Sequence, residues 1–176
     1  PIGFDEPTMP NQLLQTACHP WHTAHNGRMV DFAGWDMPVQ YSSIVEEHHA
    51  VRKNAGLFDV AHMGRLKFTG PAACTPLAAP VTNDVTTLDV GQIRYALVTN
   101  EHGGILDDVL VYRFSDCYML VVNASNREKI VDWFSDRLTE FEAAMEDQTC
   151  ASSMLALQGP QASAILDPLV QADLAA

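Results

Sequence analysis

Asn100-Glu101-His102-Gly103-Gly104-Ile105-Leu106-Asp107-Asp108-Val109-Leu110-Val111-Tyr112 organises the reading of this chain. Asn100 to Gly104 is a turn cluster, in which glycine admits positive φ. Ile93 to Thr99 before it reads as one strand, and Ile105 to Tyr112 after it as the returning strand. Two acidic residues interrupt the apolar run of that second strand, where Asp is disfavoured. Side chains alternate across a strand, so Asp107 and Asp108 point to opposite faces and cannot act as a paired acid and base from one wall. Whichever faces a pocket is a carboxylate held against apolar walls, able to raise its pKa or aim its charge at a cationic atom. The plainer reading is one solvated Asp and one that caps a turn or pairs with an Arg. Face parity bears on this. An even hairpin loop puts Tyr95 on the Asp108 face, and an odd one puts it with Asp107. With Asp108, Tyr95 and Tyr112 would form a polar, aromatic wall suited to a flat, hydrogen-bonding ring; ordinary strand aromatics are the alternative.

Outward from the hairpin, Tyr118 to Val122 is a third strand. It leads into Ser125-Asn126-Arg127-Glu128, a capping box that opens a helix over about 126–142, with Ile130, Phe134, Leu138 and Phe141 as its buried stripe. A second capping box, Ser43-Ile44-Val45-Glu46, starts a helix at about 44–55. Its stripe is Ile44, His48, Val51 and Ala55, and Gly56 is its stop. Arg28 to Tyr41, Arg65 to Thr69 and Met154 to Leu157 read as strands, and Gln161 to Leu166 begins a further helix. Hairpins mixed with helices predict an α+β fold built on an antiparallel sheet with packed helices.

The 176 residues are 47% apolar and 18% charged, enough for a core and unlike a disordered chain. No window approaches the ~18 uninterrupted apolar residues of a membrane span. PIGFDEPTMPNQ lacks the basic and apolar regions of a signal peptide. A net charge of −12 repels phosphate backbones, which argues against nucleic acid as a partner. Cys18, Cys74, Cys117 and Cys150 form no C-x-x-C pair and read as reduced thiols in a cytosol-like compartment. His19, His22 and His25 have a spacing that invites a metal, but Pro20 argues against one helix presenting all three, and no metal site is expected. His48 reads as a core histidine, His49 as a helix-flank residue and His62 as a packing residue at a turn. Neither a G-x-S-x-G elbow nor a G-x-G-x-x-G or P-loop fingerprint is present. Asn123, between a strand and a helix, either binds a ligand or caps the helix.

Several strings in order resemble the T-protein (aminomethyltransferase) family of the glycine cleavage system. They are Met29-Val30-Asp31-Phe32-Ala33-Gly34-Trp35 with Met37-Pro38, then Glu46-Glu47-His48 with Ala50-Val51-Arg52, then Gly56-Leu57-Phe58-Asp59-Val60 with His62-Met63-Gly64. Thr82-Asn83-Asp84-Val85, Gly103 to Asp108, Val121-Val122-Asn123-Ala124 with Arg127-Glu128-Lys129, and Leu157-Gln158-Gly159-Pro160 continue the match. The resemblance implies the first part of a T-protein-like folate-binding domain, with 1–20 as an N-terminal extension and 21–176 as the N-terminal part of that domain. It implies transfer of the aminomethyl carbon from the lipoyl arm of H-protein to tetrahydrofolate, releasing ammonia, in the cytoplasm (or the mitochondrial matrix of a eukaryote). Asp108 matches the family's key acidic residue, and Met63, Tyr95, Tyr112 and Asn123 match folate contacts. Related branches are a non-catalytic folate-binding helper in iron–sulfur assembly and the folate module of demethylating enzymes. Ala61 stands where the family usually has Ser, and family members run on for roughly as many residues again.

Overall fold

The computed structural model describes residues 12–174. In chain order the elements are α1 (His19–Ala24), β1 (Arg28–Phe32), β2 (Trp35–Gln40), α2 (Ile44–Lys53), β3 (Gly56–Asp59), β4 (Gly64–Thr69), α3 (Thr75–Ala78), β5 (Ile93–Thr99), β6 (Ile105–Arg113), β7 (Tyr118–Val122), α4 (Arg127–Leu138), β8 (Ala144–Asp147), β9 (Leu155–Gln158) and α5 (Ala162–Leu166). A five-stranded antiparallel sheet has the order β5-β6-β7-β4-β8, and β1-β2 and β3-β9 form two separate antiparallel ladders. The α+β antiparallel architecture is the one the sequence predicts.

The large sheet is sided. Alternation sends Ala96, Val98, Val109, Val111, Leu120, Val122, Leu66 and Phe68 to one face, which packs on α3 and α4 through Leu77, Ile130 and Phe134. Phe68 and Phe134, both fully buried, meet edge to face at 5.2 Å. The other face carries Tyr95, Asp108, Leu110, Tyr112 and Met119 and is more open. At Gly64, paired with Val122 on β7, a Cβ would stand 2.4 Å from Val122 Cγ2.

The hairpin corrects the parity argument. Five residues, an odd number, separate the pair Thr99↔Ile105, which by itself would set Tyr95 with Asp107. The register shifts by one residue before the next pair, Val98↔Asp107, so Leu106 is an extra residue on β6. That bulge returns Tyr95 to the Asp108 face. The turn is held by Asn100, whose Oδ1 accepts from the backbone N–H groups of His102 and Gly104, while Gly103 takes φ +78°.

Other expectations change. Arg28 to Tyr41 is a hairpin rather than one strand, and β3, α3 and β8 were not expected. Ser43 caps α2, donating no bond itself but accepting from Glu46 N–H at 3.2 Å. The stripe on α2 is not buried, however. Ile44 is 60% exposed and His48 is exposed, so His48 is not a core histidine. The helix lies against β2 and β3, with Ile44, Val45, Leu57, Phe58 and Leu155 left exposed. The Ser125 capping box does not form: no side-chain bond caps α4, which starts at Arg127 after a short 3₁₀ turn and ends before Phe141. Pro20 opens α1 instead of interrupting it, in the first turn where its missing N–H costs nothing. The three histidines take separate partners. His19 Nε2 meets Asp36 Oδ2 at 2.7 Å, His25 stacks on Trp21, and buried His22 bridges Tyr41 Oη (2.6 Å) and Asp59 Oδ2 (2.9 Å). Among the described residues no group of three metal-ligating side chains comes together, and no helix is long and apolar enough to cross a membrane.

The His22–Asp59 contact ties α1 to β3. Burial alone would raise the Asp59 carboxyl, but the hydrogen bonds it receives from His22 and the Ala61 N–H hold it below its ordinary value. A carboxyl lowered on folding contributes stability above its unfolded value, near pH 4, and loses it as pH falls through the folded value. Asp59→Asn is expected to cost on the order of 1.5–3 kcal/mol at pH 7 and to flatten the loss of stability below about pH 4. Urea unfolding across pH 3–7 reads both; an unchanged acid slope contradicts the assignment.

Candidate functional site

One end of the large sheet gathers the acidic pair and its neighbours. Asp107, 3% exposed, turns toward the core side, and Asp108 stands exposed on the open side. Paired residues on β6 and β7 run from Arg113↔Tyr118 to Leu110↔Val121. Continuing that register by two residues sets Asp108 opposite Asn123, just where β7 ends. Likewise Gly64↔Val122 continues to place Met63 opposite Asn123 from the other side. Extended in this way, the registers line Met63, Asn123 and Asp108 up with Leu97, the ladder partner of Asp108, with Met63 and Asn123 just beyond the ends of β4 and β7.

Hydrogen bonds join three members of this group. Tyr95 Oη donates to Asp108 Oδ2 at 3.3 Å, and Asn123 Nδ2 donates to Asp108 Oδ1 at 2.8 Å. Partial removal of Tyr95 from water, and then the charge of Asp108 beside it, raise the phenol above its ordinary value, so it remains a donor at neutral pH. Tyr112 lies on the same face further along β6, half-buried and stacked with Phe114 at 6.2 Å. Met63 is half-buried in the turn before β4. Neither Met63 nor Tyr112 enters the hydrogen-bonded group.

Asn123 ties the two acidic residues together. Its backbone N–H donates to Asp107 Oδ2 at 2.9 Å and its Nδ2 to Asp107 Oδ1 at 2.8 Å. The expected alternative, a side-chain cap of the following helix, is absent because the amide is committed to the two carboxylates.

Two contributors escaped the sequence reading. Arg65, 2% exposed, donates to the carbonyls of Ala61 (3.1 Å) and Met63 (2.8 Å), and also to the carbonyls of Thr149 and Ser152 and to Ser152 Oγ. It clamps the Met63 turn against the loop before β9 without a direct carboxylate partner. Asn126 Nδ2 donates to Asp107 Oδ1 at 2.6 Å. An arginine inside a strand and an asparagine in a helix start carry no sequence signal of their own. His62 sits beside Met63, half-buried with its ring edge-to-face on Phe32 at 5.4 Å. Burial above all, with Arg65 adding to it and Asp59 opposing, lowers its pKa, so its neutral form prevails at pH 7.

Two grooves lie away from this group. A groove of about 280 Å³ runs between Gln15–Ala17, Trp35, Ala61 and residues 149–153, and one of about 190 Å³ lies between the hairpin turn and α4. Asp108 lines neither. Asp108 itself stands exposed on the open face of the sheet. Its chemistry is nonetheless defined: one fixed anionic group, a phenol donor, an amide donor and apolar neighbours on a flat wall.

The family model for the GCVT N-terminal domain matches residues 18–176. A curated aminomethyltransferase of Rubrobacter xylanophilus is 47% identical over 164 residues, covering 93% of this chain and 44% of that protein. One from Streptomyces coelicolor is 44% identical with the same coverage. The crystal structure of glycine cleavage system aminomethyltransferase T from Bartonella henselae superposes with a TM-score of 0.84 at 35% identity, over 89% of this chain and 43% of that one. The chain thus spans under half the length of the relatives it matches.

Tyr95 supplies a check on the geometry that needs no ligand. Asp108→Asn is expected to bring the Tyr95 phenol back toward its ordinary range, as followed by ¹³Cζ chemical shift against pH. An unmoved titration would show that the two side chains do not interact in solution.

Proposed function

This chain belongs to the GCVT N-terminal domain family, and from that premise we propose that it is the N-terminal portion of an aminomethyltransferase of the glycine cleavage system. Residues 21–176 are the first part of its folate-binding domain, 1–20 an extension before it, and the cytoplasm its compartment. The one-carbon donor is the aminomethyl-lipoyl arm of H-protein and the acceptor is tetrahydrofolate. The carbon leaves sulfur and ends on folate nitrogen, ammonia is released, and the lipoyl sulfur leaves as a thiol. No nucleic acid and no membrane takes part, and no metal is required.

The observation that carries this reading is the Asp108 carboxylate, fixed by Tyr95 and Asn123 on a flat, partly apolar wall. A folate nitrogen becomes cationic as it captures the carbon. A pre-positioned carboxylate stabilises that charge, and does so most where water is excluded. Tyr95 and Asn123 hold the carboxylate in one orientation, so little reorganisation is needed at the moment of transfer. Tyr112 and Met63 supply apolar surface to the pterin, and residues beyond Ala176 would complete the pocket and hold the glutamate tail.

In the full-length protein, Asp108→Asn is expected to lower kcat for tetrahydrofolate-dependent release of ammonia from aminomethylated H-protein. A loss of about 2–4 kcal/mol of barrier stabilisation corresponds to roughly 30- to 1000-fold. Undiminished turnover in that variant removes Asp108 from the role.

A further inference from the structure

Asp107 is the acidic residue that the proposed chemistry leaves unused, yet it is the better-held of the pair. Three N–H groups converge on its buried carboxylate: Asn123 N at 2.9 Å, Asn123 Nδ2 at 2.8 Å and Asn126 Nδ2 at 2.6 Å. Asn126 in turn accepts from Lys129 Nζ at 2.9 Å through its Oδ1. The amide of Asn126 is thereby oriented by chemistry alone, oxygen toward the ammonium and nitrogen toward the carboxylate.

The amide of Asn123 is oriented just as strictly. It has two N–H bonds. One reaches Asp107 Oδ1, and the other lies between Asp108 Oδ1 (2.8 Å) and the Asp108 carbonyl (3.1 Å). A flipped amide would set its oxygen against two carboxylates. Adjacent strand residues with opposed side chains are thus connected through a third side chain, on the neighbouring strand, that donates to both.

We infer that Asp107 is a positioning residue for the proposed transfer, acting on Asp108 through the Asn123 amide. It pins the amide with a backbone and a side-chain bond, so that the second N–H always meets Asp108 Oδ1. Asp108 Oδ2, with Tyr95 on it, is then the oxygen turned to the ligand. Lys129 and Asn126 brace the far side of Asp107. The inference rests on the reading of Asp108 given above, and it deepens that reading by assigning the first acidic residue a task.

Its test is a double-mutant cycle in the full-length protein, with a spectroscopic arm that does not depend on turnover. Asp107→Asn keeps the shape and removes the charge. It is expected to lower kcat about tenfold with less than a threefold change in KM for tetrahydrofolate, and to have no further effect in an Asn123→Ala background. Asn126→Ala, which removes one donor and no charge, is expected to give a smaller fall, also absent in that background; it serves if Asp107→Asn does not fold. In protein carrying ¹⁵N-asparagine, a side-chain N–H signal of Asn123 is expected to lose its dependence on the Asp108 side chain, read as the shift caused by Asp108→Asn, when Asp107→Asn is also present. Effects on kcat that multiply with those of Asn123→Ala overturn the inference, as does an amide response that survives the loss of Asp107. If the wild type shows no aminomethyl transfer, the functional reading fails by itself and the amide response alone decides the role of Asp107.

Discussion

A carboxylate beside an apolar core must have its oxygens hydrogen-bonded, because a bare buried charge costs more than a single domain can spare. Asp107 meets that requirement with one backbone and two side-chain N–H groups. The same bonds fix where β7 ends and how the chain enters α4. They also fix Asn123, and through it the orientation of Asp108. The exposed carboxylate is ordered because the buried one is satisfied.

This arrangement gives an open sheet face a defined polar geometry. Asp108 has water access, so its charge needs no protein counter-ion, but its two oxygens face different donors, Tyr95 and Asn123. Around it the strands supply apolar side chains at regular spacing. Arg65 steadies the neighbouring Met63 turn from inside the protein, gripping carbonyls on two loops with a single guanidinium. The five-strand sheet with α3 and α4 has a closed core, whereas α2, β3 and β9 leave apolar side chains exposed. The candidate site lies where the sheet's row of strands reaches the Met63 turn.

Much of this was legible in the residues. Strand alternation separated Asp107 from Asp108, the glycine pair marked the turn, and the stripe of Ile130 and Phe134 marked the helix that covers the sheet. What escaped had physical causes. The face of Tyr95 depends on a one-residue bulge at Leu106, which has no sequence signature. The ladder of Gly56–Asp59 with Leu155–Gln158 joins two four-residue strands about a hundred positions apart, too short to show a period. The stripe on α2 has the spacing of a buried face, but periodicity says that a face is apolar and not what covers it. The Ser125 capping box lost to tertiary bonding, since Asn126 within it and Asn123 before it are drawn to Asp107. Pro20 was legible as a helix breaker only if its place in the first turn was overlooked.

The central claim is that the Asp108 carboxylate is aimed at the reacting side of a pterin. A structure of the full-length protein with bound tetrahydrofolate measures it most directly. The account predicts an Asp108 oxygen within about 2.6–3.2 Å of a ligand nitrogen, or one water away, with Asn123 still donating to the other oxygen. A pterin seated on another surface, with Asp108 in contact with bulk water alone, would contradict it.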